Sequence, residues 1–307
     1  MRYSYFMCSL LAIVALVSCS SEEVEEPERI IVINPGDGST NPTDPNTVDI
    51  NFANWKVTLP VDRNNDNKPD EYAPSQLVNG KYRTLAALEG YMYDDTDKKG
   101  IIFHTKYESA GATTTNSPYP RTELRELINP SNSRDNWNLA SGGVMKLRSQ
   151  VKAVSNNTGT GSLNKDRFIM AQIHGVVNPQ DVQRLGLSSD AAPPLLKMQW
   201  RDGNLYAYKK TLRDENTTGD DLYSKSDDIW GDISYDFGNV GYEPFDLEIK
   251  ASAGRIEVTV NGSTHVFQDV SLAKWKFDSY FKAGVYMQST DPTAYATVKI
   301  HSLEVSH

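Results

Sequence analysis

Three short stretches put polar and ionisable side chains at every second position: Arg121-Thr122-Glu123-Leu124-Arg125, Gln172-Ile173-His174 and the run from Tyr280 to Gln288. Successive residues of a strand point to opposite faces. In the third stretch Tyr280, Lys282, Tyr286 and Gln288 therefore share one face, and Phe281, Ala283, Val285 and Met287 the other. The second set is core, and the first has the composition of a site. The same alternation groups Arg121, Glu123 and Arg125 and sets Gln172 beside His174. Laid side by side in one sheet, the three strands line a groove with cations, an amide, an imidazole and a phenol. That inventory suits removal of a proton next to a carboxylate.

The elements that must position these groups are strands. From Val48 to His307 there is no long helical period and no internal repeat. Runs rich in Val, Ile, Tyr, Phe and Thr recur instead at Trp55 to Leu59, Ile101 to Lys106, Gly143 to Val151, Phe168 to His174, Leu195 to Trp200, Asn204 to Lys209, Phe245 to Ala251, Arg255 to Val260, Ser263 to Phe267, Tyr280 to Gln288 and Ala296 to Val305. Asn261-Gly262 between two of them is a two-residue hairpin signal. The fold class this predicts is all-β, a β-sandwich jelly roll with an open groove. Helices should be short and peripheral, as around Leu272 to Trp275. Polar connections at 155–166, 176–194 and 211–235 are long enough to wall or cap a groove.

The chain divides into three parts. Arg2 followed by an apolar run from Leu10 to Val17 and by Ser18-Cys19 reads as an export signal, too short to span a bilayer. Because cysteine stands at the cleavage point, residues 1–18 resemble a bacterial lipoprotein signal peptide, with Cys19 the lipidated first residue. Residues 19–47, acidic and then rich in Pro, Gly and Asn, form a tether that cannot bury enough surface to order itself. Residues 48–307 are the folded domain. This organisation predicts an exported outer-membrane lipoprotein, attached to the membrane only through Cys19, and a monomer. Cys8 leaves with the signal, so the mature chain has no disulfide.

The formal charge of −9 looks wrong for a protein that handles a polyanion. Its distribution removes the objection: Glu22, Glu23, Glu25, Glu26, Glu28, Asp37, Asp44 and Asp49 against Arg2 and Arg29 put −6 in residues 1–50, leaving −3 for the rest. Over a Debye length of about 8 Å a local basic cluster outweighs so small a net charge.

On its three segments the chain resembles the alginate lyases of polysaccharide lyase family 7. The family's blocks RTELR or RSELR, QIH or QVH, and YFKAGVYNQ are met by Arg121 to Arg125, by Gln172 to His174 and by Tyr280 to Gln288, with Met287 where asparagine is usual. Position 287 falls on the inward face, so the departure should alter packing before chemistry. The resemblance implies β-elimination on alginate, an anionic polysaccharide, with no nucleic acid involved. Arg121 and Gln172 would neutralise the uronate carboxylate, His174 or Tyr286 would take the C5 proton, and Tyr286 would protonate the leaving oxygen. It further implies that tyrosine serves as both base and acid on mannuronate, while guluronate brings in the histidine. Isoleucine at position 173 is associated with acceptance of guluronate.

Around these catalytic candidates, Glu123, Arg125, Tyr280, Lys282 and Gln288 are expected to contact substrate, although Glu123 and Arg125 could instead form a structural ion pair. Lys282 could lower the pKa of Tyr286 and hold a neighbouring carboxylate. Lys197, Gln199, Arg201, Tyr206 and Tyr208 are weaker candidates in neighbouring strands. His104, His265, His301 and His307 read as structural. No metal is needed where arginine neutralises charge, so no cofactor is required. Asp62, Asn64, Asp66 and Asp70 alternate like the start of a calcium loop, but Asn67 and Ala73 stand where glycine and glutamate are wanted, which leaves structural calcium open there. Two alternatives also stay open: a lyase on another polyuronate such as glucuronan, and a non-catalytic surface glycan-binding lipoprotein.

Overall fold

Among the described residues fifteen strands form two sheets, which bury their apolar faces against each other. The computed structural model describes residues 48, 50–108, 112–114, 116–157 and 164–307. The signal peptide, Cys19 and the tether lie outside them. In chain order the strands are β1 (Trp55–Thr58), β2 (Glu71–Tyr72), β3 (Met92–Asp94), β4 (Ile101–Lys106), β5 (Arg121–Glu126), β6 (Gly143–Val154), β7 (Arg167–Val176), β8 (Ala191–Arg201), β9 (Asn204–Leu212), β10 (Trp230–Asn239), β11 (Phe245–Ser252), β12 (Arg255–Val260), β13 (Ser263–Phe267), β14 (Asp278–Met287) and β15 (Tyr295–Ser306). Short helices α1 (Pro74–Leu77), α2 (Pro179–Leu185) and α3 (Val270–Ala273) lie between them.

One sheet has the order β10-β9-β8-β7-β14-β5-β1-β2 and the other β13-β12-β11-β6-β15-β4-β3. All the pairings are antiparallel. This is the jelly roll that the strand spacing predicts. Asn261 and Gly262, both at positive φ, make the β12–β13 hairpin turn. Three expectations differ. The polar stretch 176–194 contains α2, which Asn178 caps by accepting from the Asp181 N–H and which Gly186 ends at φ 63°. No residue of α2 is buried, so no apolar period marks it. The stretch 211–235 runs into β10, an edge strand whose Ile233 is 40% exposed. The helix around Leu272 starts at Val270 and ends at Ala273.

The first sheet carries the site because β5, β14 and β7 are neighbours at its centre. Phe281, Ala283, Val285 and Met287 are wholly buried against the second sheet. Met287 thus acts in packing, as strand alternation predicts. The inward face also holds a carboxylate. Glu126 accepts hydrogen bonds from Trp137 Nε1 (3.1 Å), the Phe281 N–H (2.8 Å) and His307 Nε2 (2.6 Å). It fastens β5, β14 and the residue that follows β15 to one another, and with three partners its burial is compensated.

Between Ala283 and Tyr286 the β14–β7 register shifts, with one extra residue on β14. A bulge of this kind bends a strand and re-aims its side chains. Gly284 sits there at φ 134°, and a Cβ on it would lie 2.5 Å from the Thr122 carbonyl oxygen of β5. Gly284→Ala is therefore expected to cost about 2 kcal/mol or more of stability through backbone strain and overlap. Urea unfolding read by tryptophan fluorescence should show the loss, and an unchanged midpoint would contradict it.

Candidate active site

Strand pairing sets the outward face in rows. One row runs Lys56, Arg125, Lys282, Gln172, Lys197 and Tyr208 across β1, β5, β14, β7, β8 and β9, each residue opposite the next. Adjacent strands lie about 4.8 Å apart, so the row presents polar groups at short, regular intervals. A groove of about 520 Å³ runs over this face, lined by Lys56, Arg121, Arg125, Lys197, Lys210, Lys225 and Lys282 against Glu71, Asp190 and Asp227. A second depression, of about 640 Å³, joins it at Glu71 and Arg121. The local charge is positive on a protein whose total is negative.

Glu123 lies beneath the groove floor, 1% exposed. One carboxylate oxygen accepts from Gln172 Nε2 at 2.6 Å and the other pairs with the Lys282 ammonium. Its placement differs from the expected substrate contact and from an ion pair with Arg125. Glu123 ties β5 to β14 beside it and to β7 one strand further on, from below. Gln172 is 2% exposed, so its amide is held by this bond. Burial lowers the Lys282 pKa, with Arg121 and Arg125 adding to the effect, while Glu123 opposes it.

Arg125 is engaged as well. Its guanidinium donates to the carbonyl oxygens of Glu126 and Ser133, both at 2.8 Å, and to Asn136 Oδ1 at 3.0 Å. It lies 4.1 Å from the centre of the Tyr280 ring, whose other neighbour in the stack is His174 at 5.3 Å. Arg125, Tyr280 and His174 form one stack facing the groove. Arg121 is different: it is 8% exposed, and its Nη1 is buried with no hydrogen-bond partner among the described residues. A buried guanidinium N–H left over at a groove wall suits a bidentate carboxylate from outside.

The His174 tautomer follows from its neighbours. Nδ1 lies 2.8 Å from the Gly175 carbonyl oxygen, which can only accept, so Nδ1 carries the proton and Nε2 keeps its lone pair. Burial, then the charge of Lys282, pushes the ring from the usual 6.5 to about 3. At neutral pH it is an uncharged acceptor. Tyr280 is pushed up to about 12, mainly by burial against the pull of Arg125.

Tyr286 pairs with Arg121 across β14 and β5, and its ring centre lies 5.9 Å from Lys282 Nζ and 6.1 Å from the Tyr119 ring. Its pKa is raised, first by burial and then by Glu123, with Arg121 opposing. This corrects the expectation that Lys282 lowers it: the lysine's charge is taken up by Glu123. Tyr286 is a protonated phenol, equipped to give a proton.

Gln288 lies just beyond β14, turned back so that Nε2 donates to the Met287 carbonyl oxygen at 2.7 Å. Of the weaker candidates, Lys197 reaches the groove, with its ammonium 5.7 Å from the centre of the Tyr208 ring, while Arg201 stacks on Tyr206 at 4.4 Å. Sequence reasoning missed Lys56, Thr58, Glu71, Lys210 and Lys225 in the groove wall. Alternation in Lys56-Val57-Thr58 could have revealed the first two. In the calcium-like run, Asp62 accepts from the Asp66 and Asn67 N–H groups and Asp66 from the Lys68 N–H, while Asp70 pairs with Arg63 at 3.0 Å. Among the described residues no group of three or more His, Cys, Asp or Glu is arranged to hold a metal ion.

Two histidines are shifted in opposite directions. Burial alone would lower His307, but hydrogen bonding and charge from Glu126 win and raise it above 6.5. Folding that keeps His174 neutral loses stability as pH falls below 6.5, because the unfolded chain takes the proton first. The His307 contribution is complete below 6.5 and is lost as pH rises through its raised value. Ring-proton NMR titration should show His307 inflecting above 6.5 and His174 still neutral at about pH 5. A His174 inflection at its ordinary value would contradict the site electrostatics.

Residues 48–307 match the family model described as alginate lyase. The chain is 27% identical over 317 residues to an alginate lyase of Klebsiella pneumoniae, a match covering 92% of this chain and 94% of that one. Among solved structures it is similar to alginate lyase A1-II', a member of polysaccharide lyase family-7, with 31% identity and a TM-score of 0.64 over 84% of this chain and 96% of that one. It is also similar to an alginate lyase from Pseudomonas aeruginosa, with 26% identity and a TM-score of 0.56 over 83% and 99% of the two chains. By its family match, its relatives and its fold, the chain belongs to the alginate lyase family and is a polysaccharide lyase.

Proposed function

We propose that this lyase cleaves alginate by β-elimination and accepts guluronate-containing blocks. The observation that carries the reading is a buried Arg121 whose Nη1 has no partner among the described residues, on the same sheet face as a neutral imidazole and a protonated phenol. Ionising C5 of a uronate adds negative charge beside its carboxylate, so that carboxylate must first be neutralised. Arg121 supplies the charge a metal ion would supply elsewhere, and no cofactor is needed for the step. His174 Nε2 takes the C5 proton. Electrons then form the C4–C5 double bond as the C4–O bond breaks, and Tyr286 protonates the departing oxygen. Glu123 and Gln172 act from beneath, holding Lys282 and the floor of the groove in place.

The division of labour between histidine and tyrosine supports guluronate. With its pKa raised, Tyr286 is a poor base at neutral pH but a competent acid, whereas His174 already has a lone pair available. In the relatives, a tyrosine-to-phenylalanine variant of alginate lyase A1-II' is in complex with product (GGG), and a variant also changed from histidine to asparagine is in complex with substrate (GGMG). Those are the residue types that His174 and Tyr286 bring to this face of the sheet. We further propose that residues 1–18 are removed on export and that Cys19 anchors the enzyme to the outer membrane as a monomer, on the strength of the N-terminal pattern.

Incubation with alginate, polymannuronate and polyguluronate separately, followed by the ultraviolet absorbance of the conjugated unsaturated uronate, tests this reading. Arg121→Ala should lower kcat about 10²–10³-fold on every substrate. His174→Asn should lower it by a similar factor on polyguluronate and much less on polymannuronate. Absence of the unsaturated product with all three substrates would overturn elimination on alginate and favour another polyuronate or simple glycan capture. Equal loss in His174→Asn on both homopolymers would overturn the guluronate assignment.

A further inference from the structure

Beyond the catalytic residues the groove floor continues onto β8 and β9, where two lysines share one carboxylate of the edge strand β10. Lys197 Nζ lies 3.2 Å from one oxygen of Asp232, and Lys210 Nζ 3.3 Å from the other. Both lysines line the groove, and both are largely withdrawn from water, their side chains 22% and 11% exposed. Lys197 stands in the same cross-strand row as Lys282, two strands away. At about 4.8 Å per strand this places it roughly 10 Å from the lysine of the catalytic centre.

A structural ion pair has no use for the second ammonium. Exposed pairs contribute little, and withdrawing another cation from water is unfavourable unless something neutralises it. Asp232 neutralises one of the two. Each ammonium has three N–H donors; Asp232 accepts one from Lys197 and meets Lys210 as an ion pair. What is left is an ordered excess of one positive charge with donors to spare, in a groove that continues from Arg121 and Lys282.

We propose that Lys197 and Lys210, aligned by Asp232, form a remote subsite that takes the carboxylate of a uronate residue away from the bond being cut. The proposal rests on the reading of the groove as a polyuronate site. Asp232 orients both lysines and also moderates their hold on the polymer by cancelling one charge, so that product can leave. The subsite acts on chain-length dependence and leaves the chemistry to Arg121, His174 and Tyr286.

Steady-state kinetics on alginate oligomers of increasing length test it, with thermal melting as the check on folding. In the wild type KM should fall with length. In Lys197→Ala/Lys210→Ala the gain made by the longer oligomers should shrink about tenfold, with kcat within about twofold. Asp232→Asn should do the reverse, lowering KM for long oligomers and steepening its salt dependence. If the double variant melts early, Lys197→Gln, which keeps a long polar side chain opposite Tyr208, should still lose part of the gain. A KM shift equal at all lengths, or none at any length, would overturn the subsite. Calorimetric binding of polymeric alginate separates the two readings. If the wild type makes no unsaturated product, the elimination reading fails, yet weaker polymer binding by the double variant would still support the subsite. Unchanged binding would overturn it.

Discussion

A carboxylate buried beneath a cationic groove is the constraint from which the rest of the site follows. Glu123 cannot stay ionised at 1% exposure unless donors surround it, and the donors within reach are Gln172 on β7 and Lys282 on β14. Satisfying Glu123 therefore locks three adjacent strands in one register. It also matches the charge of Lys282, while Arg121 and Arg125 keep theirs without a carboxylate partner among the described residues. Had Glu123 been neutral, Arg121, Arg125 and Lys282 would repel one another across neighbouring strands. The carboxylate lets them coexist while leaving a net positive surface for a polyanion.

A second carboxylate on the same strand works on the opposite face. Glu126 gathers the Trp137 indole, the Phe281 amide and His307 inside the sandwich, while Arg125, its neighbour in sequence, is held outside by the Glu126 carbonyl. One short strand is thus pinned from both sides, and the stack of Arg125, Tyr280 and His174 inherits that rigidity. The bulge at Gly284 then gives β14 a bend that its alternation alone would not produce, and Tyr286 lies on the far side of it.

Much of this was legible because strand alternation is a strict rule. Knowing only that Tyr280 to Met287 is a strand, one can assign Phe281, Ala283, Val285 and Met287 to the core and Tyr280, Lys282 and Tyr286 to the outward face. What could not be read depends on partners distant in sequence. Nothing in Arg121 to Arg125 says that Glu123 faces Lys282 rather than Arg125, because that choice is made by pairing with β14, about 160 residues away along the chain. The effect of Lys282 on Tyr286 was misjudged for the same reason: a charge already matched cannot stabilise a phenolate. Asp232 was out of view because β10 is an edge strand with a weak apolar pattern, and α2 because it buries nothing.

The pattern of charges also determines which way protons can move. His174 and Tyr286 share the outward face of the sheet, yet burial acts on them with opposite consequences, since each is driven toward its uncharged form. For the imidazole that form is a base with an open lone pair; for the phenol it is an acid with a proton to give. Burial among cations therefore sorts the two groups into donor and acceptor before substrate arrives. In the proposed mechanism, a uronate carboxylate paired with Arg121 would remove part of the positive field that holds the His174 pKa down, and so raise the basicity of the imidazole.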